Sequence, residues 1–216
     1  MNRRNQLILN ILADLLTAAA AWSLFYVFRK IYIEREKFDA FIPVVLDKEF
    51  YLGLLLIPVF WLMLYSSIGA YKDVFRKSRL KELGQTLIVT TIGVLVIFFT
   101  LILDDQIVSY KSYYQSFLVL FILHFSLTFL LRLFLSSRTV HRVHNRIIGF
   151  PTLLIGSNEN ALKLFNEMEA QEKSSGNKFI GFVHVASKNG FSEELKKNLP
   201  HLGEITDINF IIENNK

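Results

Sequence analysis

The sequence predicts a membrane-spanning, all-α region of four helices followed by a partial α/β domain. Two observations carry this prediction. Hydrophobic residues make up 52% of the 216 residues, with 20 Phe among them, and the apolar runs are concentrated before Ser137, which is typical of a membrane protein. From residue 150 onward, short β-rich runs alternate with amphipathic helical patterns instead, as expected for an α/β domain.

Four segments are long enough to cross a bilayer, whose core needs about 20 apolar residues per helix. They are residues 7–28, 50–68, 83–103 and 114–135, and together they define a transmembrane region over 1–137. The first segment is too long for the apolar part of a signal peptide, and no small-residue cleavage site follows it. Pro58 is expected to kink the second helix, because proline removes a backbone hydrogen bond.

Basic residues predict the orientation of these helices. Lys and Arg precede the first helix, fill the connection between the second and third, and follow the fourth, so both termini are expected in the cytoplasm. The connection between the first and second helices carries charges of both signs and does not support this orientation. The net charge of +5 arises beside apolar segments, which favours the lipid bilayer and its anionic headgroups as partners and argues against nucleic acid.

The basic stretch "YKDVFRKSRLKEL", residues 71–83, has two interpretations. Its apolar positions are compatible with an amphipathic helix on the membrane surface, and its charges are equally explained as a topology signal. The predicted membrane-surface residues are Arg76, Lys77, Arg79 and Lys81. A second basic segment, 138–149, is predicted to be a linker, and its two histidines have no nearby carboxylate and make a weak metal site.

Polar residues are few inside the predicted membrane helices, and two of them, Asp14 and His124, are candidate functional residues. Asp14 is expected to face protein or the aqueous boundary, or to be protonated, since a carboxylate in lipid costs several kcal/mol. A hydrogen bond within the bundle is favoured for it over a contact with lipid phosphate or a partner helix. His124 is alone at helical spacing, which favours packing over metal binding. The chain has no Cys, which excludes disulfides and thiolate metal sites.

The soluble part, 150–216, begins like a doubly wound α/β sheet. The apolar run "TLLI" predicts a strand buried on both faces, and 179–185 predicts a second strand. The helix between them would carry one apolar face, formed by Ala161, Leu164, Phe165 and Met168. Ser192 is predicted to cap a short helix, and the residues from Gly203 onward fit another helix. The order is βαβ followed by further helix.

The turn after the first strand partly matches a dinucleotide-binding fingerprint, which makes the domain Rossmann-like. Gly156 stands where the backbone turns and Ala161 where helix meets strand, and Ser157 lies between them. Asn158 replaces the glycine that lets a pyrophosphate approach, and His184 replaces the acidic residue that would hold a ribose. Gly156, Ser157, Asn158 and Ala161 are therefore predicted to be a weak, vestigial anion or nucleotide turn with a structural or regulatory role.

Several stretches together resemble one family. They are "IGAYKDVFRKSRLKELGQTL", "LILDD", the Arg at the end of the fourth helix and "TLLIGSNENALKL…GFVHV". They resemble the amino-terminal half of the large bacterial polyprenyl-phosphate sugar-1-phosphate transferases, which initiate exopolysaccharide, capsule or O-antigen synthesis. The resemblance implies four helices in the bacterial inner membrane and an accessory Rossmann-like (CoA- or nucleotide-binding-like) domain. Polyprenyl-phosphate lipids, other polysaccharide-assembly proteins and a second copy of the chain are the implied partners.

The resemblance also implies that the catalytic domain, with its Mg²⁺, would lie beyond Lys216. No residue of this chain is therefore assigned a catalytic role and no cofactor is expected in it. The α/β domain is expected to stop before its third strand and to expose an apolar sheet edge. The alternatives are the amino-terminal part of a membrane-bound nucleotide-sugar dehydratase, which has a similar front half, and a stand-alone membrane oligomerisation module.

Overall fold

A computed structural model describes residues 3–35, 43–72, 79–102, 110–185 and 192–214. The chain divides into two compact units, Met1–Arg138 and Thr139–Lys216. The first unit consists of helices, and the second combines the end of the last long helix with a small parallel sheet and short helices. Each unit is described by itself below.

The first unit contains four long helices. The first of them continues as a π-helical segment, Arg29–Glu34, and the third continues as a shorter one, Phe98–Ile102. The helices are α1 (Arg3–Phe28), α2 (Lys48–Ser67), α3 (Arg79–Ile97) and α4 (Tyr110–His144). All four are long and apolar enough to cross a membrane, so the four predicted membrane-length helices are confirmed. Helix α2 remains helical through Pro58, which is buried.

Aromatic side chains dominate the core of this unit. Trp61 and Tyr65 of α2 are almost completely buried, as is Phe25 of α1, and they pack with aliphatic residues from α3 and α4. Many Leu, Ile and Val side chains on the opposite faces of the same helices remain exposed. A protein in water would bury more of them, whereas lipid accommodates them. The pattern of exposure therefore agrees with a bundle surrounded by hydrocarbon.

Asp47 fixes the start of α2. Its carboxylate accepts a hydrogen bond from the Phe50 backbone N–H at 3.0 Å, which makes it the N-cap, and lies 3.3 Å from the Lys30 ammonium. The hydroxyl of Tyr26 lowers the pKa of Asp47 from 3.8 to about 2, with the Phe50 amide and Lys30 adding to the effect. Hydrogen bonds to the charged form explain this direction.

Asp47 should therefore make the bundle sensitive to acid. A carboxylate with a lowered pKa stabilises the fold above its ordinary value, and this contribution is lost as pH falls from 3.8 towards about 2. Asp47→Asn keeps a good cap but removes the titration. We expect the Tm of the wild type to fall faster than that of the variant over this pH range. Parallel Tm curves for the two proteins would contradict the prediction.

Helix α4 is longer than the sequence predicts. Residues 138–149 were predicted as a linker, and the helix continues through the first part of this segment to His144. No Gly or Pro occurs between 138 and 144 to end the helix. It ends in a Schellman motif: Arg146 has φ 59, its N–H donates to Val143 O, and the Ile147 N–H donates to Arg142 O. The Arg146 side chain then pairs with Glu169 at 2.9 Å.

The second unit is built on three parallel strands in the order β1-β2-β3. Short helices connect the strands and follow the last one. The elements are β1 (Phe150–Ile155), α5 (Glu159–Glu169), β2 (Asn177–His184), α6 (Glu193–Asn198), β3 (His201–Glu204) and α7 (Ile208–Asn214). The strands predicted over "TLLI" and 179–185 are present, within β1 and β2 respectively. Ser192 caps α6 by accepting from the Leu195 N–H, as predicted.

The third strand corrects the prediction that the domain stops before it. Residues 201–204 pair with Phe182, Val183 and His184 of β2, although a helix was predicted from Gly203. "HLGE" has no apolar run and includes a glycine at φ +144, so no local pattern indicates a strand. Parallel pairing to β2 decides its conformation. The helix starts later, at Ile208, and the edge of β2 that was expected to be exposed is paired.

The core beside the sheet is small. Leu154 and Phe182 of the strands meet Ala161 and Leu162 of α5 and two leucines around α6. The predicted apolar face of α5 is partly wrong, because Leu164 is exposed and Leu162 is buried in its place. Helical spacing alone selected a different face of α5. The face that meets the sheet is rotated from it, because contact with Phe182 and Leu195 decides which side of the helix is buried.

Candidate functional site

The first helix and the fourth are joined by a buried ion pair. Arg132 of α4 donates from Nε to Asp14 Oδ1 at 2.8 Å and from Nη2 to Asp14 Oδ2 at 2.6 Å. The side chains are only 4% and 2% exposed. This two-point contact matches the planar guanidinium to the carboxylate and is the strongest form of such a pair. It joins residues 118 positions apart in the sequence.

A second carboxylate and a phenol complete the polar part of this network. Glu82 of α3, also buried, places Oε1 4.0 Å from Arg132 Nη1. The Tyr71 hydroxyl, in the turn after α2, donates to Asp14 Oδ2 at 2.7 Å. Burial, followed by the charge and hydrogen bond of Asp14, raises the pKa of the Tyr71 phenol, so it remains a donor at neutral pH. One cation thus meets two carboxylates from different helices.

Aromatic rings extend the network towards the middle of α4. The guanidinium carbon of Arg132 lies 3.8 Å from the centroid of the Tyr65 ring, a cation–π contact. The Tyr65 hydroxyl is 3.3 Å from Nε2 of His124, whose ring stacks on Trp61 with 3.6 Å between centroids. Thr128 lies between His124 and Arg132 on α4, and it donates to Thr17 of α1 at 3.3 Å.

Helical spacing explains why these side chains meet. Residues 124, 128 and 132 are four apart and share one face of α4, as residues 61 and 65 share one face of α2. Asp14 and Thr17 are three apart on α1. Helices α1, α2 and α4 therefore each present one short polar or aromatic row, and α3 adds Glu82. We call these residues the Arg132 network: Asp14, Thr17, Trp61, Tyr65, Tyr71, Glu82, His124, Thr128 and Arg132.

The Arg132 network is arranged to hold helices together. Its charges are directed at each other, and within the described residues no group of three or more His, Asp or Glu side chains could hold a metal ion. A buried ion pair of this kind favours these helices as neighbours, because another arrangement leaves a buried charge without its partner. This geometry supports a role in helix association.

Sequence reasoning found part of this network. It identified Asp14 and His124 and favoured contacts within the bundle for both, which is where the structure places them. It used the Arg at the end of the fourth helix as an orientation signal and as part of the family resemblance, and it did not single out Tyr65, Tyr71 or Glu82. One signal was available: an acid and a base inside otherwise apolar helices are expected to pair with each other.

The predicted membrane-surface residues are only partly described. Arg79 and Lys81 lie in the first turn of α3, and both are exposed. Leu80 between them is 77% exposed, whereas Glu82 turns into the bundle. Arg76 and Lys77 lie outside the described residues. An exposed leucine flanked by two cations at a helix end suits the boundary between headgroups and hydrocarbon, so these residues remain a predicted membrane-surface site.

The predicted anion turn uses its polar groups internally. Gly156 has φ +134, which favours glycine, and a Cβ there would lie 3.3 Å from the Cβ of Ala161. Ser157 is buried, and its Oγ lies 2.6 Å from Nδ1 of His184, the residue standing where an acid was expected. The Asn158 side chain accepts from the Ala161 N–H at 3.1 Å and caps α5. An anion would have to displace this cap.

Substitutions at Asn158 should separate capping from ligand binding. Asn158→Ala removes the acceptor and is expected to destabilise the second unit by about 1 kcal/mol, whereas Asn158→Gly should cost only a few tenths. Denaturant unfolding followed by hydrogen exchange of the α5 amides measures both. Equal losses for Ala and Gly would contradict the capping role. We also expect no saturable binding of nucleotides by the wild type, measured by equilibrium dialysis.

No protein-family model, no curated protein and no solved structure matches this chain.

Proposed function

We propose that this chain is the membrane-anchoring and assembly portion of a polyprenyl-phosphate sugar-1-phosphate transferase acting in exopolysaccharide, capsule or O-antigen synthesis. The observation that carries the proposal is the buried Asp14–Arg132 pair, which ties the first membrane-length helix to the last. A bundle closed in this way suits a scaffold that holds a soluble unit at a membrane. The resemblance of the sequence to the amino-terminal half of that family supplies the activity.

In this proposal the chain contributes position and not chemistry. The transfer of a sugar phosphate to polyprenyl phosphate, with Mg²⁺, belongs to a catalytic domain outside this chain. The α/β unit has three parallel strands in the order β1-β2-β3, which suits one half of a Rossmann-like sheet, and it acts as an accessory domain with its turn capped by Asn158. Association with a second copy and with other polysaccharide-assembly proteins in the bacterial inner membrane completes the role.

The proposal is tested by assaying sugar-phosphate transfer in two preparations. The purified chain, given nucleotide sugar, polyprenyl phosphate and Mg²⁺, should show no transfer. Complexes captured on the tagged chain from native membranes should show it, and should lose it on washing with detergent that strips the partners. Transfer by the purified chain alone, or captured complexes without transfer, would overturn the proposal. Nucleotide-sugar dehydration in the captured complexes would favour the dehydratase alternative.

The proposed orientation places both termini in the cytoplasm. Because the chain has no Cys, a single introduced cysteine reports on which side of the membrane its segment lies. Val45, exposed before α2, and Asn198, exposed in α6, are suitable positions. In intact cells an impermeant maleimide should label Val45→Cys but should label Asn198→Cys only after lysis. The reverse pattern, or equal labelling in intact cells, would show that this orientation is incorrect.

A further inference from the structure

A cavity of about 300 Å³ lies between the end of α1 and the start of α2. This is the opposite end of these helices from Asp14 and Tyr65 of the Arg132 network. The candidate spans end at Glu34 and begin again at Lys48, so the cavity lies where lipid headgroups meet the hydrocarbon. The proposed transferase function does not use it.

Trp22 and Gly53 form the inner wall of the cavity. A Cβ at Gly53 would lie 2.2 Å from the indole of Trp22, so the glycine is what lets the ring pack flat against α2. The indole N–H donates to the Phe50 carbonyl at 3.2 Å. This wall is therefore held by both packing and a hydrogen bond, and the cavity is a built feature of the helix pair.

The outer half of the cavity is charged. Its lining includes two cations and two carboxylates, which balance: Arg29, Lys30, Glu34 and Glu49. Lys30 is bonded to Glu34 at 3.0 Å and approaches Asp47 at 3.3 Å. Arg29, Lys30 and Glu34 all belong to the π-helical segment, a rare geometry that is frequent at functional sites.

The inner half of the cavity is apolar and has an open side. Trp22 and Ile57 are buried there, whereas Leu56 is 53% exposed at the edge. An occupant can therefore have a charged end between the helices and an apolar tail that leaves across Leu56 into the surrounding hydrocarbon. A phospholipid has this division of polar and apolar parts.

We infer that this cavity binds the headgroup of a zwitterionic phospholipid that carries a phosphate and a primary ammonium group. The guanidinium of Arg29 faces the phosphate, and the exposed carboxylate of Glu49 accepts from the ammonium. Because the two cations and two carboxylates of the lining balance, a headgroup that carries both charges matches the cavity better than one with net negative charge. A trimethylammonium group has no N–H to donate, so phosphatidylcholine loses the contact with Glu49.

The test is the stabilisation of the full chain in detergent by added lipid, measured as a shift in Tm and as lipid retained in native mass spectrometry. Phosphatidylethanolamine should be retained about tenfold better than phosphatidylcholine or phosphatidylglycerol. Leu56→Trp, which fills the open side, should abolish this preference. Leu55→Trp is the matched control, because Leu55 is 67% exposed and does not line the cavity. It should behave as the wild type does.

A second variant tests the recognition of the ammonium group without altering packing. Glu49→Met removes the acceptor from an exposed side chain of similar length and should make retention of phosphatidylethanolamine and phosphatidylcholine equal. Equal retention of all three lipids by the wild type would overturn the inference, as would a preference for phosphatidylglycerol. If soluble glycerophosphoethanolamine raised Tm as much as the lipid, the ligand would be a free phosphodiester and the lipid assignment would be wrong. Identical behaviour of the two Leu→Trp variants would place binding elsewhere.

Discussion

Replacing Arg132 with methionine is expected to destabilise the helix bundle by about 3–5 kcal/mol, the range for breaking a buried ion pair. The change leaves Asp14 and Glu82 buried without the cation that faces both of them. Asp14→Leu should cost less, since Glu82 is still 4.0 Å from the guanidinium and supplies a countercharge. Arg132→Met should cost more than Asp14→Leu because the one cation faces two carboxylates.

A double-mutant cycle in detergent micelles measures this coupling. Asp14→Leu and Arg132→Met together should cost less than the sum of the two single changes, because neither partner is then left alone. Arg79→Met is the matched control: Arg79 is exposed at the start of α3, so its loss should change stability by less than about 0.5 kcal/mol. Additive effects of the two network changes, or an Arg132→Met variant as stable as the control, would show that the pair does not hold the bundle.

Gly93→Ala is expected to force α2 and α3 apart and to destabilise the bundle by about 1–3 kcal/mol, the usual cost of overpacking. A Cβ at Gly93 would lie 2.3 Å from the indole of Trp61. Trp61 cannot withdraw, because it is 1% exposed and its ring stacks on His124 with 3.6 Å between centroids. The methyl group would therefore disturb the aromatic part of the Arg132 network as well.

Gly84 provides the control on the same helix. A Cβ at Gly84 meets nothing within 4 Å, so Gly84→Ala should be neutral or should stabilise α3 by up to about 1 kcal/mol through its better helix propensity. Thermal unfolding followed by circular dichroism compares the two variants, and a shift in tryptophan emission reports the displacement of Trp61. Equal stability of the two alanine variants would contradict the close contact at Gly93.

The proposed anchoring role and the lipid cavity depend on different ends of the bundle, so their tests are independent. Arg132→Met changes the network around Asp14 and Glu82. Leu56→Trp changes the open side of the cavity. A chain that retains phosphatidylethanolamine but captures no transferase activity would keep the lipid inference and remove the proposed function. A chain that captures transferase activity but shows no preference for phosphatidylethanolamine would keep the proposed function and remove the lipid inference.

The local features of the fold could be predicted because they depend on neighbouring residues. The length of an apolar run decides whether a helix can cross a bilayer, and all four runs form such helices. Ser192 caps α6 because its hydroxyl reaches the N–H three residues later. The turn at Gly156 follows from a glycine between an apolar run and a helical pattern.

The sequence by itself therefore determined the four membrane-length helices, the change to an α/β pattern at residue 150, and the Ser192 cap. Only the tertiary structure decided that Asp14 pairs with Arg132 across 118 residues and that "HLGE" is a strand. It also decided that Leu162 of α5 is buried where Leu164 was expected. The physical reason is the range of the interaction. Caps, turns and spans are decided within a few residues, whereas ion pairs, strand pairing and the inward face of a helix depend on partners that the chain brings together only when it folds.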